Sequence, residues 1–347
     1  MITRNRAFGL ALVCAGWAVH ASAAPTFTSF DVPGAGTGAN QGTLVSDFGF
    51  PGVLAGSYID SSNQVHAYIR DSAGEYSFFD VSGQSGANAI SHQGKAVGFV
   101  IDDLGTHGAL DYQATLTQFD VSGATDTEAQ DINKKGKIVG FYLDSGNAVH
   151  GFLRNRGGGI NRFDAPGAGT ASGQGTTPFA IGLDTTVAGY VVGSDGIRHG
   201  FLRDYLANFT VFDPPNSVRT TAICLDENHD VGGSFRDSAS VIHGFVRLGN
   251  GNYTVIDAPG AGTGALQGTN LRQINNKFAM TGSYIDSAGV SHGYFRNSAG
   301  KLKSFDAPGA HMVSGQGTIA QTINDQNQIA GYYYDAAGAT HGFIRNP

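Results

Sequence analysis

FDAPGAGTASGQGT occupies residues 163–176, and near-copies stand at 30–43 (FDVPGAGTGANQGT), 256–269 (IDAPGAGTGALQGT) and 305–318 (FDAPGAHMVSGQGT). A chain that writes one glycine-rich sentence four times is a repeat protein, so its period is measured first. The Phe-Asp pair is one ruler. Its aspartates are Asp31, Asp80, Asp120, Asp164, Asp213, Asp257 and Asp306, with Ile256 replacing Phe once. Histidine before a small residue is a second ruler: His66, His107, His150, His199, His243, His292 and His341. Both count seven, and from each of the first six His to the next Phe or Ile256 is 12 or 13 residues.

Residues 318–345 show one unit. TIAQTIN alternates apolar and polar, DQN is a turn, QIAGYYYD is a strand, AAGA is a turn and THGFIR is a strand. Other copies add a strand such as LKSFD at 302–306. Period-two alternation broken by Gly, Asn and Asp predicts short strands and tight turns. No stretch after the leader shows a helical period. Four strands in 40 to 49 residues fit a propeller blade, whereas the coils of a parallel β-helix are shorter and less hairpin-like. The expectation is all-β: a seven-bladed β-propeller of four-stranded blades, one domain over 24–347. The last copy stops at Pro347 without an outer strand. TFTSFD at 26–31 has no partner in its own repeat, so it is expected to complete the last blade and close the ring.

From the Phe-Asp or Ile-Asp aspartate to the next repeat His is 35 residues after Asp31, Asp164, Asp257 and Asp306, and 27 to 30 elsewhere. The extra length is the PGAG…QGT segment. It joins an outer strand to the next inner strand, so one face is expected to carry four long loops.

Residues 1–23 read as a secretory signal: Arg4 and Arg6, an apolar run, then Ala21-Ser22-Ala23 as a small-x-small cleavage site. Cys14 follows Val13, too large for a lipoprotein signal. The run is too short for a membrane span, so the chain is expected to be secreted or periplasmic. Net charge is −7 and no basic run occurs, which argues against nucleic acid as a partner. Beyond the leader only Cys224 remains, which excludes an internal disulfide and reads as a buried small hydrophobe. A monomer without cofactor or metal is expected.

The units INDQNQIAGYYYDAAGATHGFIR and INKKGKIVGFYLDSGNAVHGFLR resemble those of the HAF-repeat extracellular proteins of bacteria. That family is named for a His-Ala-Phe triplet; here it is mostly HGF, with HAY at His66 and HGA at His107. The resemblance covers the chain after the leader. It implies a secreted β-propeller and brings no catalytic residues.

The repeated residues read as scaffold. Aspartate at a strand end can set the following turn by accepting backbone N–H groups. The histidines begin the third strand, at least ~10 Å from the axis, too far apart to share one metal ion. Function is then sought where the copies differ. Inner strands align on Phe48, Ile90, Ile132, Ile181, Leu225, Ile274 and Ile323. Two residues earlier stand Ser46, Asn88, Gln130, Phe179, Ile223, Arg272 and Gln321. Six residues earlier, long-loop copies have Gly and the others Gln84, Asp126 and Arg219. The candidate binding set is Arg219, Arg272, Gln84, Asp126, Glu128, His311 and Gln321 around a central opening on the long-loop face. Arginine near an acid suits a carboxylate-bearing ligand. The expected function is a binding module for carbohydrate, peptide or a surface protein. The alternative is a polysaccharide lyase or hydrolase at the channel mouth. No nucleophile elbow, HExxH or phosphate loop supports chemistry.

Overall fold

The computed structural model describes residues 24–49, 52–79, 81 and 83–347. The leader, with Cys14 and the cleavage site, and the repeat residue Asp80 lie outside the described residues. Among those described there are 28 strands and no helix, in three hydrogen-bonded sheets. The architecture is all-β and propeller-like. Successive strands pair as four-stranded antiparallel units. Gly175–Ile181, Val187–Val192, Arg198–Arg203 and Phe209–Phe212 form one such ladder. Each first strand contacts the next one along the chain, and the last, Thr318–Ile323, contacts the first of the series, Gly42–Gly49.

The unit that starts with Thr318–Ile323 takes its fourth strand from the other end of the chain. Phe27–Phe30 pairs antiparallel with Thr340–Arg345, Phe27 opposite Arg345 and Phe30 opposite Gly342. Phe27 packs 5.9 Å from Phe305 and 6.1 Å from Phe343, and Asp31 lies 2.8 Å from His341 Nδ1.

Apolar layers between units form the core. Phe152, Phe201, Phe245 and Phe343, each two residues after a repeat His, are fully buried. Arginines four residues after the same histidines lie over the Phe of the preceding unit's Phe-Asp pair: Arg154 is 4.6 Å from the Phe119 ring and Arg345 4.9 Å from Phe305. These cation–π contacts cover ring faces that the unit's own strands leave open.

The repeated loop sentence has a steric explanation. Gly42, Gly175, Gly268 and Gly317 have φ between +114° and +120°, which L-residues rarely adopt. A Cβ there would lie 1.9–2.1 Å from the carbonyl oxygen of the neighbouring unit's third strand. The following threonine hydroxyl accepts the N–H after the Phe-Asp or Ile-Asp pair, as Thr176 does for Ala165 at 2.9 Å. The preceding glutamine caps the loop: the Gln267 Oε1 accepts from Gly264 and its Nε2 donates to the Ser287 carbonyl. The loops lie on the turns between second and third strands, as Gly36 N–H to Ile59 O and Asn40 N–H to Gly338 O show. They clamp adjacent units together.

Among the described residues five repeat histidines, His107, His150, His243, His292 and His341, sit between two carboxylates, whereas His199 has Asp213 alone because Gly193 stands where other copies have the turn aspartate. His150 has Asp164 at 3.0 Å on Nδ1 and Asp144 at 3.4 Å on Nε2, and stacks on Tyr142. His292 repeats this with Asp306, Asp286 and Tyr284, and His107 with Asp120 and Asp102. Among the described residues the Phe-Asp and Ile-Asp aspartates therefore do not set the following turn by accepting its N–H groups, as the sequence suggested. That turn closes through backbone alone, Ala310 N–H to Ala307 O, because the imidazole takes the carboxylate. The other aspartates are turn residues: Asp144 Oδ1 accepts from Gly146 and Ala148, and Asp286 Oδ1 from Ala288 and Val290.

Candidate functional site

Every first strand carries a register break at the same place, between Val45 and Asp47, Ala87 and Ala89, Ala129 and Asp131, Pro178 and Ala180, Ala222 and Cys224, Leu271 and Gln273, and Ala320 and Thr322. The skipped residues are Ser46, Asn88, Gln130, Phe179, Ile223, Arg272 and Gln321. A β-bulge leaves its extra residue unpaired and re-aims its side chain. Here all seven line one cavity of about 290 Å³. The scaffold is thus repeated backbone, and what it presents is a position whose side chain changes from copy to copy.

Within this cavity the polar groups are ordered by hydrogen bonds. Glu128 accepts from Asn88 Nδ2 at 2.9 Å and Gln130 Nε2 at 2.8 Å. Burial pushes the Glu128 carboxyl up, against those two amide donors. Asp47 and Asp131 are half-buried in the wall. Asp131 accepts the N–H of Ile181 at 2.8 Å and of Ile132 at 2.7 Å, and Asp47 those of Ile90 and Phe48. Burial pushes Asp131 up to about 7, and the Asp47 charge adds to it, while the backbone donors oppose.

A second cavity of about 330 Å³ shares Asp47, Asp131, Leu225 and Gln273 with the first and opens where first and second strands turn. Its rim bears Ser91, His92, Lys134, Glu227, Asn276 and Asp325, with Lys134 paired to Glu227 at 2.7 Å.

The structure divides the residues singled out by sequence. Arg272 and Gln321 line the central cavity, and Glu128 orients two of its amides. Gln84, Asp126 and Arg219 do not surround a central opening. First strands begin out at the seam with the preceding unit's third strand. Asp126 bridges Thr106 there, and Gln84 Oε1 accepts the Val65 N–H. His311 is held inside its loop, its Nδ1 2.8 Å from Gln316 Oε1 and its N–H donating to Tyr334 O. The walls of both cavities contain no residue of the long loops. Among the described residues no ion pair joins Arg219 or Arg272 to Asp126, Glu128 or His311.

Two groups escaped the sequence reading. Asp47 and Asp131 stand where other copies have Ala89, Ala180, Cys224, Gln273 and Thr322, a signal available one residue beyond the aligned position. Arg198 and Arg236 share a small pocket with Arg219. They stand where the other copies carry no charge: Val65 or Ile242 against Arg198, Ile59 or Leu143 against Arg236. Cys224 is buried and its thiol is pushed up to about 12, which makes it inert as a nucleophile at neutral pH. Among the described residues no group of three or more His, Cys, Asp or Glu is placed to hold a metal ion, and no helix is long and apolar enough to cross a membrane.

No family model and no curated protein matches the chain. Solved structures do. The BP39L lectin from Burkholderia pseudomallei is similar with a TM-score of 0.57 at 12% identity, over 86% of this chain and 95% of that one. A chain of the mitotic checkpoint complex gives 0.55 at 11% identity, over 96% and 98%. A prolyl endopeptidase gives 0.54 at 13% identity, over 90% of this chain and 47% of that one. At these identities the likeness is one of fold.

Proposed function

We propose that this chain is an exported seven-bladed propeller of the HAF-repeat kind, its ring closed by Phe27–Phe30, and that its central cavity binds a carbohydrate. The observation that carries the reading is the bulge set. One backbone device, repeated in every first strand, turns Ser46, Asn88, Gln130, Phe179, Arg272 and Gln321 toward one space. Planar amides and a guanidinium offer paired donors and acceptors to vicinal hydroxyls, and the Phe179 ring offers an apolar face. A concave site with few convergent polar groups and one aromatic wall is what a small ligand needs. That a lectin shares the fold makes saccharides the first class to test.

The polysaccharide-cleaving alternative finds one supporting observation, the raised Asp131 in the wall. It is the weaker reading. Both Asp131 oxygens are occupied by backbone N–H groups, so the carboxyl is not poised to exchange a proton with a ligand.

A glycan array with residues 24–347, followed by titration of the best binder, tests the proposal. Arg272→Ala and Gln321→Ala are each expected to weaken binding by about tenfold, or ~1.4 kcal/mol. A parallel assay for unsaturated or reducing products is expected to show no turnover. Failure of every saccharide to bind, or unchanged affinity in both variants, overturns the reading.

A further inference from the structure

We propose that Arg198, Arg219 and Arg236 form a second binding site, selective for an oxyanion such as a carboxylate or sulfate group and separate from the central cavity. Arg219 opens the strand Arg219–Leu225 and Arg236 closes Val231–Arg236. The two face each other directly in the ladder. Like charges opposite one another across two strands repel, so this pair is unfavourable unless something negative lies against it. Arg198, from the adjoining unit, supplies a third guanidinium to the same pocket of about 90 Å³.

Among the described residues no carboxylate neutralises them, and none of the three arginines forms an ion pair. Asp237, next in sequence to Arg236, is engaged by the Ala239 and Val241 N–H groups and lies 3.7 Å from His243. Asp195 accepts the Ile197 N–H in its own turn.

Arg198 is held in place without being satisfied. Its guanidinium carbon lies 3.8 Å from the centre of the Tyr190 ring, and Nη1 donates to Thr221 Oγ1 at 3.4 Å. Its buried Nε meets no acceptor. Burial holds its pKa below the usual arginine range, and the neighbouring charges of Arg219 and Arg236 lower it further. The remaining wall includes Thr221, Ser234 and Asn270, which add neutral donors. Three planar forks plus hydroxyl and amide donors match a group with two or more anionic oxygens, which arginine engages bidentately.

The arginines also break the repeat. In the other copies the position of Arg198 holds Val65, Thr106, Val149, Ile242, Ser291 or Thr340. That of Arg219 holds Gly in the long-loop copies. Three independent departures converge in one seam of a protein whose net charge is −7. The pocket shares no residue with the cavity that holds Arg272, so the inference stands whether or not that cavity binds a saccharide.

Thermal melts and calorimetric titrations of residues 24–347 test this, with sodium sulfate, sodium phosphate and galacturonate as probes against chloride at equal ionic strength. Sulfate strengthens burial in any protein, so the readout is the difference between wild type and variant. Wild type and Arg272→Ala are expected to gain several degrees with at least one oxyanion. Arg219→Gln and Arg236→Gln should lose that gain while melting no lower than wild type in chloride, because each removes a repulsion. Arg236→Lys, which keeps the charge and loses the fork, should bind several-fold more weakly and serves if the Gln variant folds poorly. The ranking of sulfate, phosphate and galacturonate identifies which oxyanion the pocket prefers. Equal gains in wild type and both Gln variants, or no gain over chloride in wild type, overturn the proposal.

Discussion

Gly175→Ala should be among the most damaging single-methyl additions available to this protein. Two costs add. At φ +120° an alanine is outside its allowed regions, which costs roughly 1–3 kcal/mol. The new Cβ would also stand 1.9 Å from the Val149 oxygen and 2.8 Å from its carbonyl carbon. An ordinary C···O contact is about 3.3 Å or more, so the two units must separate by more than an ångström. That strains the Val149 N–H to Gln174 O bond, 2.8 Å long, and the packing around it, for roughly another 2–3 kcal/mol. The sum is about 3–6 kcal/mol. Two glycines serve as controls. Gly167 has φ +85° and nothing within 4 Å of its would-be Cβ, so Gly167→Ala carries the backbone cost alone, about 1–2 kcal/mol. Gly157 has open space and no positive φ, so Gly157→Ala should be neutral or stabilising by up to ~1 kcal/mol. Urea unfolding followed by circular dichroism ranks the three. If Gly175→Ala costs no more than Gly167→Ala, close approach between units is not why the loop sentence is repeated.

Deleting residues 24–31 removes the Phe27–Phe30 strand and the Asp31 partner of His341, and should lower stability by several kcal/mol, read as a fall in melting temperature; equal melts would argue against closure by this strand. His150→Ala and Asp164→Ala should each cost about 1–2 kcal/mol, and the double variant less than their sum, because they share the 3.0 Å contact; strict additivity would separate them. Asp131, with a folded pKa near 7 against an ordinary aspartate value near 3.8 when unfolded, binds its proton more tightly when folded. Its linkage therefore makes stability rise as pH falls from about 7 to 4, and Asp131→Asn should flatten that slope. Turn aspartates such as Asp144 and Asp286, whose pKa values are lowered, act oppositely. Their contribution is present above the unfolded pKa and is lost as pH falls through the folded one, so acid unfolding should begin below about pH 4.

The strand rhythm was legible because the Phe-Asp pair and the histidine recur at fixed offsets and each marks one strand. Variation at the bulge position was legible too, since Arg272 stands where other copies have Ser46, Asn88, Gln130, Phe179, Ile223 and Gln321, although the bulge itself was not. What sequence could not convey is where a strand begins in space. Arg219, Gln84 and Asp126 share a register position, and counting along the chain put them at the central opening. Pairing with the preceding unit's third strand carries them to the seams. The roles of the Phe-Asp aspartates were misread for a related reason. Asp164 is adjacent to a turn in sequence, yet its partner is His150, across two strands. Arg198 and Arg236 lie on third and second strands, and only the fold brings them to Arg219.

A crystal structure of residues 24–347 with the strongest glycan from the array bound addresses the central claim most directly. The account predicts sugar density in the central cavity, with a ring against Phe179 and hydroxyls within hydrogen-bonding distance of Arg272 and Gln321. Density seated instead on the long loops or along the outer strands, with the cavity free of sugar, would contradict it.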